Sequence, residues 1–187
     1  EFTFGGEQEI KATYTAFGQG TFGCVFKNEE DKKAYKLERP DNESKEPEIM
    51  ERLGVEEAKQ HHIITTSSEK KTVANIEFTG NGGVTFLLDN KKFIIPDDKK
   101  DKDKGCGKLV NYFTALNFVK HLPLMLITMD LYADDLIKID VDKIDLKAIS
   151  KHISNALAYL KTKGVVHRDV KPENIFYSCL LYTSDAA

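Results

Sequence analysis

The sequence predicts an α+β fold, in which the predicted strands lie mainly within the first 130 residues and a long helix follows. Three observations support this prediction: a glycine-rich turn joins two strand-like runs, further apolar runs bounded by turn residues come next, and residues 144–162 form an amphipathic segment. The chain has 187 residues, enough for one domain with a hydrophobic core. Hydrophobic residues make up 41% and charged residues 30%, as in ordinary soluble proteins.

Charge and composition exclude two classes of partner. The formal net charge of -3 argues against a nucleic-acid partner bound through its phosphates, and no apolar run approaches membrane-spanning length. The three cysteines, Cys24, Cys106 and Cys179, show no paired or metal-ligand spacing. Their pattern fits a reducing compartment, so we expect an intracellular location, in the cytoplasm or the nucleus.

The first readable motif is a glycine-rich turn. After a polar start, Ala12–Phe17 is strand-prone and leads into Gly18-Gln19-Gly20-Thr21-Phe22-Gly23-Cys24-Val25, which has the form G-x-G-x-x-G-x-V. Glycine carries no Cβ, so backbone amides can approach phosphate oxygens here. The same glycine spacing marks dinucleotide-binding turns of oxidoreductases, a remote alternative. That turn must lead into a helix, whereas Cys24–Lys27 is strand-like.

A second strand and a helix follow the turn. The strand is predicted at Lys33–Glu38 and contains Lys36. The helix is predicted at Glu46–Leu53, where Ile49 and Leu53 lie four residues apart on one face. Pro47 suits the first turn of a helix and disfavours helical geometry at the residue before it.

The middle of the chain holds several short strands and one helix. Apolar runs separated by turn residues predict strands at Ile63–Thr66, Thr72–Phe78, Val84–Leu88 and Lys91–Ile95. Asn81-Gly82-Gly83 and Asp89-Asn90 are the turn signals between them. Helical spacing continues in Leu109, Val110, Phe113 and Leu116.

The last third combines a buried strand with a long helix. Leu124–Met129 is an apolar run suited to a buried strand. Ile144–Thr162 is an amphipathic helix, which Asp145 can cap at its start and Gly164 can end. Its apolar stripe consists of Ile149, Ile153, Leu157 and Leu160.

The run from His167 to Asn174 reads His-Arg-Asp-Val-Lys-Pro-Glu-Asn and places three useful groups on one loop. Asp169 can accept a proton, Lys171 brings a positive charge, and Asn174 offers a metal-ligating amide. A hydroxyl that attacks a phosphoryl group needs such a base and such charge neutralisation.

These residues resemble the motifs of eukaryotic-type protein kinases. The loop is similar to H-R-D-L-x-x-x-N, with Val170 in place of Leu, and Ala34-Tyr35-Lys36 is similar to the end of V-A-I-K. With the glycine-rich turn, the resemblance extends over Ala12–Tyr177. It implies a bilobal fold with a complete antiparallel-sheet N-lobe, helix C and only the start of the helical C-lobe. Lys171 favours the Ser/Thr type.

The resemblance also implies a division of the chain. Residues 1–11 are an N-terminal extension, 12–129 the N-lobe with an insertion within 54–123, 130–136 the hinge, and 137–178 a partial C-lobe. Residues 179–187 read CLLYTSDAA, which is similar to a translated sequencing adapter, so we expect a non-native tail.

The resemblance assigns ATP and Mg²⁺ as cofactors and gives roles to named residues. Asp169 accepts the proton of the substrate hydroxyl, Lys171 neutralises the γ-phosphate, and Asn174 binds Mg²⁺. Lys36 orients the phosphates and is held by Glu46, or alternatively by Glu48. The other implied nucleotide contacts are Phe17, Gly18, Gly20, Gly23, Val25, Ala34, Met129, Asp130, Tyr132, Asp135 and Phe176.

The implied function is ATP-dependent phosphoryl transfer to Ser or Thr hydroxyls of protein substrates, with an unknown regulatory partner. No Asp-Phe-Gly follows Asn174, so we expect little or no activity from these 187 residues themselves. The alternative function is that of a pseudokinase scaffold or interaction module. It would keep the fold without catalysis, and the intact Lys36, Asp169 and Asn174 argue against it.

Overall fold

A computed structural model of the chain describes residues 10–20, 23–28, 30–40, 49, 52–53, 66–80, 83–99, 105–115, 121–132, 134–138, 140, 142 and 144–177. Its strands and helices are β1 (Ala12–Gln19), β2 (Gly23–Asn28), β3 (Lys33–Glu38), β4 (Thr66–Phe78), β5 (Val84–Leu88), β6 (Lys91–Ile95), α1 (Gly105–Ala115), β7 (Leu122–Asp130), β8 (Asp134–Asp135), α2 (Leu146–Thr162) and β9 (Phe176–Tyr177). Two compact units are present: Glu1–Ser44 with Ser68–Met129, and Lys45–Ser67 with Asp130–Ala187.

Most local predictions are confirmed. The bounds predicted for β3, β5 and β6 agree with the structure, and the helix predicted around Leu109 is α1. The turn between β5 and β6 lies at Asp89 and Asn90, which both have positive φ angles of 50° and 60°. Two such residues in succession match the twist of a tight hairpin. The strand predicted at Ile63–Thr66 lies almost wholly outside the described residues, and β4 begins at Thr66.

The sheet of the first unit is a closed barrel with the strand order β1-β2-β3-β7-β4-β5-β6. The prediction of a purely antiparallel sheet is therefore wrong for one pair. Ala12–Thr15 of β1 runs parallel to Lys91–Ile94 of β6. The reason is the extra β5–β6 hairpin, which lengthens the sheet beyond β4, so that its twist brings β6 back to β1.

The barrel core is built from alternating residues of the strands. Phe93 on β6 stands at its centre and stacks on Tyr14 and Phe86, with ring centroids 5.2 and 5.3 Å apart. Phe26 meets it edge to face at 5.1 Å. All four rings are almost fully buried. Aromatic contacts of this kind add to the free energy gained by burying apolar surface.

Helix α1 covers part of this core. It presents Leu109, Val110 and Phe113 to the barrel, and the Phe113 ring lies 5.0 Å from that of Phe86. The region 54–123, in which an insertion was predicted, therefore supplies three barrel strands, β4, β5 and β6, and helix α1.

In the second unit, helix α2 ends at Thr162 as predicted and begins at Leu146, two residues after the predicted start at Ile144. The Asp145 carboxylate accepts hydrogen bonds from the backbone N–H groups of Lys147 and Ala148, which caps the helix. At the other end Gly164 has a φ angle of 67°, a left-handed conformation that favours glycine. Of the predicted apolar stripe, only Leu160 is buried, and Leu157 remains 38% exposed.

A small second core joins α2 to residues near position 50. Leu53 packs with Tyr159, Leu160 and Val165, and the Tyr159 hydroxyl donates to the Leu53 carbonyl at 2.8 Å. Arg52 donates to the Lys163 carbonyl, also at 2.8 Å. Ile49, Arg52 and Leu53 are helical, which agrees with the helix predicted there. The start of that helix lies outside the described residues.

In the part of the chain that the structure describes, we find no helix with both the length and the apolar character that a membrane crossing requires.

The buried hydroxyl of Tyr159 gives a test of this second core. Tyr159→Phe should lower the free energy of unfolding by about 1–3 kcal/mol, because it leaves the Leu53 carbonyl buried without its donor. The measurement is urea unfolding. Tyr112→Phe is the matched control, since the Tyr112 hydroxyl bonds the Pro123 carbonyl at an exposed site. Equal effects of the two substitutions would contradict the importance of the buried bond.

Candidate active site

The loop that follows α2 is held in a defined shape by its own backbone. The Val165 N–H donates to the Leu160 carbonyl, which closes the end of the helix. Arg168 adopts a left-handed φ of 65°, uncommon for a residue with a side chain. The next residue, Asp169, donates its N–H to Nδ1 of His167 at 3.3 Å. Backbone strain of this kind often accompanies functional loops.

Asp169 is the centre of a compact polar cluster. Its Oδ2 lies 3.0 Å from the Lys171 ammonium and 2.7 Å from the Asn174 amide nitrogen. The same amide nitrogen donates to the Asp169 backbone carbonyl at 2.9 Å. A short 3-10 turn, Pro172–Asn174, brings Asn174 back over the loop. The three groups that sequence spacing placed on one loop are therefore in direct contact.

The electrostatics of the cluster favour the charged form of Asp169. The Lys171 ammonium, followed by the hydrogen bond from Asn174, holds the pKa of the Asp169 carboxyl below its usual range. A lowered pKa means that the group stays a carboxylate at neutral pH and gains a proton only as the pH falls through the lowered value. The group is exposed, so solvent can reach it.

A two-stranded antiparallel sheet, β8 and β9, flanks this loop. Asp135 on β8 pairs with Phe176 on β9, and the Tyr132 ring lies 6.5 Å from the Phe176 ring. The Asp135 carboxylate accepts from the Ile137 N–H at 3.2 Å and lies 3.3 Å from the Lys138 ammonium. Both strands belong to the same unit as Asp169.

In the first unit, the glycine-rich turn joins two strands. Gly18 at the end of β1 pairs with Val25 on β2, which pairs with Lys36 on β3. Directly opposed residues in a sheet point to the same face, so these three form one row across the hairpin. Because Gly23 opens a strand and not a helix, the structure does not support the dinucleotide-binding alternative.

The ammonium of Lys36 has a carboxylate partner two residues along the same strand. Its Nζ lies 2.7 Å from Oε1 of Glu38, whose side chain is only 2% exposed. Among the described residues, no donor makes a hydrogen bond of acceptable geometry to this oxygen. The contact is therefore an ion pair, defined by the distance between nitrogen and oxygen. A Cβ on Gly23 would lie 2.9 Å from Glu38 Cγ, so glycine leaves room for the pair.

Comparison with known proteins finds similarity over part of the chain. Residues 104–180 match the family described as Protein kinase domain. A probable serine/threonine-protein kinase of Dictyostelium discoideum is 53% identical over 34 residues, 18% of this chain and 5% of the relative. The probable kinases fhkA and fhkB of the same organism are 58% identical over 31 residues and 50% over 38 residues. These stretches cover 17% and 20% of this chain, and 5% and 3% of the relatives. No solved structure matches.

Over residues 104–180 the chain is similar to a protein kinase domain. This confirms the resemblance inferred from the motifs. The matched stretches span about a twentieth of the curated relatives' length or less.

The structure places the predicted kinase residues in two groups. One contains Asp169, Lys171, Asn174, Asp135, Tyr132, Phe176 and Asp130 in the second unit, and the other contains Phe17, Gly18, Gly20, Gly23, Val25, Ala34, Lys36 and Met129 in the first. Glu46 and Glu48 lie outside the described residues. Phe17 is exposed and its ring lies 5.2 Å from the Lys27 ammonium. The assigned roles remain predictions.

Sequence patterns missed Glu38 as a partner of Lys36. Residues two apart on a strand share a face, so the spacing of Lys36 and Glu38 was the available signal. The prediction that the cysteines are unpaired is wrong, because Cys24 and Cys106 form a disulfide. No local spacing could show this pair, since 82 residues separate its members.

The described residues can supply only some of the ligands that Mg²⁺ requires. They contain no cluster of three His, Cys, Asp or Glu side chains able to hold a metal. The Asn174 amide nitrogen is fixed by two hydrogen bonds, which orients its oxygen as an available ligand. One or two protein ligands suffice where substrate phosphates provide the others, as is usual for Mg²⁺.

The ion pair of Lys36 predicts an effect on the stability of the first unit. Lys36→Met should lower the free energy of unfolding by about 3 kcal/mol, because it leaves the Glu38 carboxylate buried without its cation. Lys36→Met/Glu38→Gln should recover at least half of that loss. Both are measured by urea unfolding. Lys70→Met, at an exposed lysine of β4, is the matched control. A single variant no less stable than this control would show that the pair does not stabilise the barrel.

The polar cluster predicts a change in the pKa of Asp169. Lys171→Ala should raise it toward the ordinary value of about 3.9, because the nearest positive charge is removed. An NMR titration of the aspartate carboxyl carbon measures this directly. Lys151→Ala, at an exposed lysine of α2, should leave the pKa unchanged. If Lys171→Ala also left it unchanged, the contact between Lys171 and Asp169 would not persist in solution.

Proposed function

We propose that this chain derives from a Ser/Thr protein kinase that transfers the γ-phosphoryl group of ATP to hydroxyls of protein substrates. One observation carries the proposal: within the segment that matches the kinase family, Asp169 contacts both Lys171 and Asn174 at 2.7–3.0 Å. Three curated proteins that match short stretches of this chain are named as probable serine/threonine-protein kinases, which supports the same substrate class.

The loop residues would divide the work of phosphoryl transfer. Asp169, kept ionised by its neighbours, would take the proton of the attacking hydroxyl. Lys171 would neutralise charge on the γ-phosphate, and Asn174 would hold Mg²⁺ through its carboxamide oxygen. Bound Mg²⁺ supplies charge neutralisation to the phosphate oxygens. The protein itself contributes chiefly position, and the short contacts within the loop hold these groups in place.

The nucleotide would be bound by the remaining predicted residues. The backbone of Gly18, Gly20 and Gly23 would approach the phosphates, and Lys36 would pair with them. Val25, Ala34, Met129 and Phe176 would enclose the adenine ring. Asp130 and Tyr132 would bond its edge through their backbone, and Asp135 would reach the ribose.

Two measurements test the proposal. Mg²⁺-ATP binding to this chain, followed by titration calorimetry, should be at least about 10-fold weaker in Lys36→Met/Glu38→Gln than in Glu38→Gln, since the ammonium that meets the phosphates is lost. Glu38→Gln is the matched control because it removes the same buried carboxylate. Equal binding by the two variants would contradict the role of Lys36.

The second measurement is phosphotransfer by the natural full-length protein. Asp169→Asn should abolish transfer to a Ser/Thr peptide while ATP binding stays within about 3-fold, because the proton acceptor is lost and the charge change is local. Undiminished transfer by this variant would refute the role of Asp169. ATP binding without transfer in the unmodified protein would instead favour the pseudokinase scaffold.

A further inference from the structure

The N-terminus of α1 is attached to the glycine-rich turn in the first unit. The Gly105 N–H donates to the Gly20 carbonyl at 2.9 Å. A Cβ at Gly105 would overlap the Gly23 carbonyl and lie 2.7 Å from the Gly20 oxygen, so only glycine permits this approach. The helix is thus in direct backbone contact with both sides of the turn.

A covalent bond lies beside this contact. Cys24, the residue after Gly23, is bonded to Cys106, the second residue of α1, and their Cα atoms are 4.4 Å apart. Both cysteines are fully buried. In the reduced form the Cys106 thiol could still donate weakly to the Gly18 carbonyl, whose oxygen lies 3.6 Å from the sulfur.

The attachment is on the inner side of the hairpin. Cys24 belongs to the barrel core with Phe26, whereas its neighbour Val25 shares the opposite face with Lys36. Helix α1 therefore does not occupy the face that carries the proposed nucleotide contacts. It acts on the turn by restraining its backbone from behind.

We propose that Cys24 and Cys106 are a reversible oxidation site, and that the disulfide fixes the glycine-rich turn on α1 and weakens nucleotide binding. The second half of this proposal rests on the proposed ATP site. The physical basis is that backbone groups of the turn are already hydrogen-bonded. The Gly20 N–H donates to the Gly23 carbonyl at 3.0 Å, and the Gly20 carbonyl accepts from the Gly105 N–H. A turn held in this way cannot redirect its amide toward a phosphate.

The chemistry is thiol–disulfide exchange with a low-molecular-weight disulfide such as oxidised glutathione. One cysteine loses its proton, and its thiolate attacks the reagent, forms a mixed disulfide and releases one thiolate. The second cysteine, also as thiolate, attacks the mixed disulfide, forms the Cys24–Cys106 bond and releases another. Two protein thiols are oxidised and one reagent disulfide is reduced to two thiols. Because both sulfurs are buried, exchange requires a local opening of the turn from α1.

The test uses the whole chain with Cys179→Ser, which removes the third cysteine. One sample is oxidised with glutathione disulfide and one is reduced with a phosphine. Peptide mass mapping determines whether Cys24 and Cys106 are joined, calorimetry gives the Mg²⁺-ATP affinity, and hydrogen exchange follows the amides of residues 18–24. The control is Cys106→Ala, which cannot form the bond.

Oxidised protein should bind ATP about 10-fold more weakly than reduced protein, as expected for the loss of one hydrogen bond to a charged phosphate. Exchange at residues 18–24 should be slower in the oxidised sample. Cys106→Ala should respond to neither treatment. Since the oxidised and reduced samples have the same sequence, the comparison does not depend on the folding of a variant.

Three results would overturn the proposal: no Cys24–Cys106 bond after oxidation, equal ATP affinity of verified oxidised and reduced protein, or equal exchange rates at residues 18–24. The proposed function fails separately if no form binds ATP, including reduced protein and Cys106→Ala. In that case the assigned effect on binding is also refuted, and hydrogen exchange alone decides whether the disulfide restrains the turn.

Discussion

The register between β2 and β3 is the constraint on which the first unit depends. It sets Gly23 opposite Glu38, Val25 opposite Lys36 and Lys27 opposite Ala34 on one face. Because strand residues alternate, a slip of one position would send Lys36 into the barrel core and bring Leu37 out of it. The fully buried Leu37 and Phe26 make such a slip costly, since both would lose their apolar surroundings. Core packing thus fixes the side to which Lys36 points.

The polar cluster of the second unit depends on local sequence and not on strand register. Asp169, Lys171 and Asn174 are so close in sequence that one short 3-10 turn brings them together. Little tertiary structure is needed to form these contacts, and the side chains of Asp169 and Lys171 remain exposed. Tertiary contacts hold the framework before the loop, where Gly164 follows α2 and the Tyr159 hydroxyl donates to the Leu53 carbonyl.

This difference explains what could be predicted from the sequence. The bounds of β3, β5 and β6, the Asp145 cap and the Asp169 cluster depend on residues within a few positions of one another, and local patterns describe them well. The parallel β1–β6 pair and the Cys24–Cys106 bond join residues about 80 positions apart. Nothing in strand periodicity specifies such partners, because it gives the face of a residue and not its neighbour strand. The pairing of Lys36 with Glu38 has a local signal, since the two residues lie two apart on one strand. The family resemblance instead assigns Glu46 as the partner.

The β1–β2 hairpin, which carries the glycine-rich turn, separates the barrel core from the face that carries Lys36. Its inner surface is therefore relevant to the proposed function. Cys24 and Val25 are adjacent, yet one faces the core and α1 while the other faces the row that ends at Lys36. Their positions are coupled by the covalent backbone, so a restraint on Cys24 acts on the face of Val25 without any chain of packed side chains between distant sites. Barrel closure strengthens this coupling, because the strand that precedes the turn is paired on both edges, with β2 and with β6. The hairpin therefore cannot relax by moving away from the sheet as an exposed edge could. Its remaining freedom lies in the turn itself, at the point where Gly105 and Cys106 meet it.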